Sequence, residues 1–375
     1  MDSPIDIFAR GVKEGVYPGG QIAASRECTR IVTAAAGSIG PGQGSTGNDV
    51  LYDLASLTKP LGTTILLGKA MEAGLCALED PLGRFIPGVD PRVTLEQVLD
   101  HSAGYPAHQR FDLELPSELS PGSWDAWRHI VRAASQTPLI REPGTEAEYS
   151  DIGFILLGAA LEVMHQRPLS VAQLVHVGAS LFFRDRRGPP ALPIIAPPHP
   201  IAPTEAGKTG VVHDENAEAM GGSAGHAGLF GTADAVLRLS EQLVLAYHGY
   251  EGGVLKPATV RRLWQPSRVK GSTRALGWDR PSKEGSSTGG RWPRSSIGHL
   301  GFTGTSVWIE PDRALVVVLV TNRVCPSRAN NLIRRLRPLF YDAAWQHWAK
   351  AKHKPATEKR ASPRRAAQIS RPPIE

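Results

Sequence analysis

Hydrophobic and polar positions change their period twice along the chain. Residues 3–15 repeat apolar positions at helical spacing and read as an amphipathic helix. YPGG then leads into two short strand candidates, QIAAS and RIVTAAAG, followed by LYDLAS. From about residue 60 to 265 helical periods and loops take over. The run LGTTILLGKAMEAG is helix-compatible, VTLEQVLDHSAG reads as a helix closed by Gly104, and DIGFILLGAALEVMHQR as an amphipathic to buried helix. TADAVLRLSEQLVLAY is another helix, with Thr232 as N-cap and Asp234 in its first turn. Strand character then returns. TSVWIE and ALVVVLV, separated by PDR, predict a hairpin, and NNLIRRLRPLFYDAAWQHW a closing helix. The pattern predicts one sheet built from both chain ends (about 1–60 and 270–349), with a mainly helical portion (about 61–269) inserted between. Seven prolines between Pro189 and Pro203 exclude helix and central strand there and predict a long loop.

Composition narrows the class. With 375 residues, 41% hydrophobic and 21% charged, the chain is an ordinary globular protein with a large core. Its most apolar strand candidate, residues 314–320, is far too short to span a membrane. MDSPIDIFARGVKEGV lacks the basic start and apolar stretch of a secretory signal, so a cytoplasmic location is expected. Cys28, Cys76 and Cys325 are isolated, which argues against a disulfide framework and a zinc site. The net charge of +6 resides in residues 350–375, where eight basic residues face Glu358 and Glu375, so residues 1–349 are formally neutral. That tail is rich in Pro and Ala without apolar periodicity and reads as a basic disordered segment; it gives no reason to expect a specific nucleic-acid partner.

Candidate chemistry begins at Ser56-Leu57-Thr58-Lys59. On a helix the two ends of this spacing share a face, and a serine needs a neighbouring base to become nucleophilic. The same spacing recurs at Ser267 and Lys270, but in the polar run WQPSRVKGST, which reads as loop. Ser56 instead precedes an apolar stretch, and Pro60 suits a first turn, so a helix is expected to begin near Ser56. An acyl-transfer site also needs a proton carrier for the leaving group and backbone donors for the oxyanion. Tyr149-Ser150-Asp151, just before a helix, and His299-Leu300-Gly301, entering a strand, could supply these.

These three motifs in this order resemble the serine β-lactamase and penicillin-binding-protein superfamily, and most closely its class C branch of β-lactamases, esterases, D-aminopeptidases and DD-peptidases. Flanking phrases resemble it too: YPGGQIA, LEQVLDHSAG, HDENA and GGSAGHAGLFGTADAV. The resemblance spans about residues 5–345. It implies an α+β, β-lactamase/transpeptidase-like fold with an antiparallel sheet, no metal and no cofactor. It implies Ser56 as the acylated nucleophile, Lys59 as its base and Tyr149 as the relay to the leaving atom. The backbone N–H groups of Ser56 and Phe302 would form the oxyanion hole, with Gly301 permitting close approach, and His299 would sit at the mouth supporting Tyr149 or the substrate.

Two departures refine the expectation. The family motif has asparagine where this chain has Asp151. An ionised carboxylate only accepts hydrogen bonds, and it would hold Lys59 as an ammonium. Either Tyr149 then takes the serine proton, or Asp151 is itself neutral. His299 and Leu300 replace Lys-Thr, which removes a permanent charge and a hydroxyl. Both changes point to carboxylic esters or small amides as substrates, ahead of D-amino-acid peptides and β-lactams. A pseudoenzyme that binds a ligand or partner without chemistry is the alternative from another class. Lys208-Thr209-Gly210 is rejected as the third motif, because no sustained strand follows it. His101, His108, His213, Asp214 and His226 read as loop hydrogen-bonding residues, and Gly221, Gly222, Gly225 and Gly228 as a tight turn.

Overall fold

The computed structural model describes residues 2–187 and 199–349. The basic tail and most of the proline-rich loop lie outside the described residues. Helix α1 (Pro4–Lys13) opens on a reciprocal cap, in which Ser3 Oγ accepts from Asp6 N and the Asp6 carboxylate accepts from Ser3 N. Strands β1 (Gly19–Arg26) and β2 (Thr29–Gly37) form a hairpin whose turn residues Glu27 and Cys28 take left-handed backbone angles. The middle carries β3 (Tyr52–Asp53), α2 (Thr64–Glu72), α3 (Leu95–Leu99), α4 (Trp124–Ser135), α5 (Asp151–His165), α6 (Leu169–His176) and β4 (Phe182–Phe183). It continues through α7 (Glu215–Ala219), β5 (Leu229–Gly231), α8 (Ala233–Tyr247) and α9 (Pro257–Leu263). The chain then returns through β6 (Ile297–Leu300), β7 (Ser306–Glu310), β8 (Leu315–Thr321) and α10 (Ile333–Trp348).

The main sheet has the order β2-β1-β8-β7-β6, antiparallel throughout. Both chain ends therefore meet in it, with Val318 of β8 paired to Ala23 of β1 on one side and Val307 of β7 on the other. The run LVVVLVT is buried along its whole length because each face of the sheet is covered. Val316, Val318 and Val320 enter a core shared with the helical middle; Leu315, Val317 and Leu319 face Phe8 of α1 and Leu336 and Phe340 of α10. Thr232 caps α8 as expected, accepting from Ala235 N at 3.1 Å, and α8 packs on β1 and β8.

Two expected helix ends move. The helix after Val93 stops at Leu99, and His101 turns the chain with φ of 61° before Gly104 is reached. The expected helix start near Ser56 is a 3-10 turn (Ala55–Leu57), then a π-helical stretch (Lys59–Thr63), and α2 begins only at Thr64. Pro60 has no N–H to give to the preceding turn, and Lys59 O accepts from both the Thr64 N–H, five residues on, and the Thr64 hydroxyl at 2.8 Å. Among the described residues no helix is long and apolar enough to cross a membrane.

Candidate active site

The Ser56 turn is held from three directions. Ala55 adopts φ of 48°, a left-handed angle unusual for alanine, and its N–H donates to Asp53 Oδ1 at 2.8 Å. The other oxygen of Asp53 accepts from His213 N at 2.7 Å. Burial pushes the Asp53 carboxyl up to about 6 despite these two donors. From β5, Leu229 O accepts from Leu54 N at 2.9 Å, while Leu229 N donates to Thr58 Oγ1 at 3.1 Å. From the β6–β7 turn, the hydroxyls of Thr303 and Thr305 donate to Asp53 O and Leu54 O at 2.8 and 3.0 Å. Ser56 is the second residue of its 3-10 turn, a position whose N–H has no intrahelical acceptor.

Lys59 is fully buried and its ammonium donates three ways: to Asp151 Oδ1 at 2.7 Å, Ser56 Oγ at 3.2 Å and His226 O at 3.2 Å. It also lies 4.7 Å from the centre of the Tyr149 ring. Burial by itself would lower the Lys59 pKa, but the Asp151 carboxylate, with the Tyr149 hydroxyl beside it, outweighs this and holds Lys59 above its ordinary value. Burial likewise would raise Asp151. Lys59, His108 and His226 outweigh that and hold its carboxyl far below the usual range. Asp151 is the first residue of α5, and its side chain is turned to Lys59 and, at 3.4 Å, to His108 Nδ1. Helix α5 reaches this position because Gly158 faces Gly225; a Cβ on Gly225 would lie 2.8 Å from Gly158 Cα. The same contact sets His226 beside Lys59, with His226 Nε2 at 2.7 Å from Asp214 Oδ1.

Tyr149 sits between two histidine rings, His101 at 4.6 Å and His299 at 6.0 Å. Burial raises its phenol pKa, and its hydroxyl interacts with the side chains of Lys59 and Ser56. His299 corrects an expectation: it is 2% exposed, behind Tyr149, not at the mouth. Its Nδ1 donates to Leu300 O at 2.8 Å, its Nε2 is buried with no partner, and burial pushes it down to about 4. It is therefore neutral. Gly301 has the close approach expected of it, since a Cβ there would lie 2.6 Å from Leu54 O and overlap the Thr305 hydroxyl. Phe302 is half exposed, stacked between His213 and the Arg323 guanidinium.

Two cavities open on either side of Ser56, and both touch Ser56, Tyr149 and Phe302. One, about 420 Å³, is lined by Arg323, Arg334 and Arg337. The other, about 290 Å³, is lined by Asp151, Asp214 and Glu215 with His108, His213 and Arg328. Among the described residues, none of the first three arginines forms an ion pair with a carboxylate. Arg337 is 6% exposed; among the described residues it donates only to Thr305 O at 3.3 Å and its Nε has no partner, and burial pushes it down to about 10. The arginines, His108, Asp214 and His226 were not singled out as site residues by sequence reasoning. HDENA and GHAG were visible as phrases, but their meeting at Lys59 is tertiary. The competing motifs lie elsewhere. Ser267 Oγ donates to Asp100 Oδ2 at 2.7 Å, and Lys208 pairs with Glu218 at 3.1 Å.

The model of the Beta-lactamase family matches residues 5–339. The chain belongs to the β-lactamase family. A protein of Escherichia coli (strain K12) named "Putative D-alanyl-D-alanine carboxypeptidase" is 30% identical over 323 residues, covering 76% of this chain and 71% of that one. Among solved structures, a penicillin-binding protein homologue from Caulobacter crescentus aligns with a TM-score of 0.68 at 18% identity, covering 92% of this chain and 96% of the other. EstCE1, described as a hydrolase with promiscuous acyltransferase activity, aligns with a TM-score of 0.65 at 22% identity, over 89% and 97%. The α+β fold read from the sequence is the fold of these neighbours, and membership makes the chain a β-lactamase-fold serine hydrolase.

Proposed function

We propose that this hydrolase works through an acyl-enzyme on Ser56 and acts on carboxylic esters or small amides. The observation that carries the reading is Lys59 Nζ at 3.2 Å from Ser56 Oγ, where two cavities meet. Ser56 Oγ attacks the carbonyl carbon and its proton passes to Lys59 once that amine is free. The backbone N–H groups of Ser56 and Phe302 hold the oxyanion. Tyr149 hands a proton to the leaving atom, and water then cleaves the acyl-enzyme. The salt bridge favours an ionised Asp151, so the resting site holds Lys59 charged and must release a proton before attack.

A second reading has its own support. The loss of Lys-Thr from the third motif removed one anchor for a carboxylate, yet the arginine-lined cavity beside Ser56 offers another. This favours a D-amino-acid peptidase or β-lactamase acting on a carboxylate-bearing amide. Hydrolysis of short-chain p-nitrophenyl esters by wild type and Ser56→Ala tests the first reading. Turnover lost in the mutant supports it; equal turnover in both sinks it. Intact-mass detection of an acyl adduct with a β-lactam tests the second. Absence of both activities would favour a pseudoenzyme.

A further inference from the structure

His108, a loop histidine by sequence, lies on the far side of Asp151 from Lys59. Asp151 Oδ1 is 2.7 Å from Lys59 Nζ, and Asp151 Oδ2 is 3.4 Å from His108 Nδ1. One carboxylate therefore bridges two basic groups. Lys59 has no contact with solvent, whereas the His108 side chain is 39% exposed and lines the carboxylate-rich cavity that reaches Ser56. The groups facing His108 are Asp151 from α5 and Asp214 and Glu215 at the start of α7, with His213 and Arg328 lining the same cavity. Three carboxylates dominate, and they favour the imidazolium: the pairing with Asp151 is the largest influence and raises the His108 pKa against the opposing effect of burial.

We infer that Lys59 and His108 share one proton across Asp151, so that a charged His108 frees Lys59 to act as the base. This rests on the acyl-enzyme reading, with Lys59 as base. In one form Lys59 is an ammonium, Asp151 a carboxylate and His108 neutral. In the other, Lys59 is an amine, Asp151 still a carboxylate and His108 an imidazolium. The proton leaves Lys59 through Asp151 and one is taken up on the imidazole, so the charge of the set does not change. When His108 is charged, it competes for the carboxylate that pins Lys59. His108 touches no reacting atom, so it is a positioning residue.

Coupled titration gives this a signature. If the neutral fraction of Lys59 limits acylation, log kcat/KM rises with pH and then runs flat across the His108 titration. It rises again above it. The flat stretch is as wide, in pH, as the coupling between the two groups. His108→Gln removes it. Its profile falls below wild type on the acid side, by about tenfold for a coupling of one pH unit, and meets wild type on the alkaline side. His108→Arg keeps the charge at every pH, so it matches wild type on the acid side and exceeds it on the alkaline side.

The test is kcat/KM of wild type, His108→Gln and His108→Arg on a neutral p-nitrophenyl ester across the pH range. Convergence of the Gln profile with wild type at high pH, with Arg restoring the acid side, is the expected result. A Gln profile parallel to wild type at all pH, or an Arg variant no better than Gln, overturns the proposal. A second readout needs no turnover. In Ser56→Ala, the His108 ring titration followed by NMR should move upward when Lys59→Met is added, by the same coupling; an unmoved titration overturns it. Retention of ester turnover in Ser56→Ala would instead overturn the acyl-enzyme reading itself.

Discussion

The arginine cavity and the carboxylate cavity share Ser56, yet they handle charge in opposite ways. Around the carboxylates, each carboxyl group already has a partner: Asp151 with Lys59, Asp214 with His226, Glu215 with Arg328 at 2.8 Å. Around the arginines, Arg337 is buried with, among the described residues, only a carbonyl as hydrogen-bond partner. A buried charge without a counter-charge is expensive in the free protein, on the order of several kcal/mol. Such a charge is stabilised when a ligand brings the missing one. Paired charges, by contrast, hold their places whether or not a substrate is bound, and what they can do is move protons. On the proposed reading, the first would serve recognition and the second chemistry.

The largest effect expected comes from the residue common to both sides. Ser56→Ala should lower kcat/KM on any accepted ester by at least about a thousandfold, measured against the uncatalysed rate. Next comes the paired side. Asp151→Asn leaves a buried ammonium without its partner and should cost about 3 kcal/mol in urea unfolding near neutral pH. The sign with pH follows from both partners. Asp151 is held below its unfolded value, so its contribution is present above about pH 4 and is lost as pH falls through the folded value. Lys59 is held above its unfolded value, so its share is full below about pH 10 and is lost only as pH climbs through the folded value. The gap between wild type and variant should therefore close in acid. Per folded molecule, turnover of amides should be kept or raised, since Lys59 loses what pins it as an ammonium; a large loss on every substrate would give the carboxylate a role of its own.

The unpaired side is tested more gently. Arg337→Met should raise KM for a carboxylate-bearing ester or amide by about tenfold to a hundredfold, the worth of a charged hydrogen bond. KM for a neutral ester should not move, and stability should hold or rise, because an uncompensated charge has gone. Equal effects on both substrates would end the distinction between the two cavities. The smallest effect concerns His299. With its pKa pushed down to about 4, its ring resonances should stay flat in an NMR titration from about pH 6 to 9.

Much of this was legible in the sequence where the cause is local. The apolar runs on either side of the PDR turn gave the central hairpin, and the reach of the sheet into both termini followed. Ser56, Lys59, Tyr149, Asp151 and His299 could be singled out because short motifs carry them, and the fold brings these five within one neighbourhood. What stayed hidden depends on distant partners. The π-helical stretch after Ser56 contains Pro60 and closes with the Thr64 N–H reaching back five residues to Lys59 O, which no short motif records. His299 is buried on β6 with the Tyr149 ring 6.0 Å away, and no motif records depth. Arg323, Arg334 and Arg337 look like ordinary surface arginines on a basic segment until β8 and α10 deliver them to one cavity.

The clamp on the Ser56 turn has a consequence for how the protein is made. Thr303 and Thr305 fasten carbonyls that lie 250 and 251 residues earlier in the chain. A nascent polypeptide stopped before Ile297 contains Ser56, Lys59 and Tyr149 but not the strands that fix the turn or complete the sheet. On a ribosome, the serine should stay inert through most of translation and gain its reactivity late, with the last strands. A stalled chain of that length should accordingly fail to label with an acylating probe that marks the finished protein.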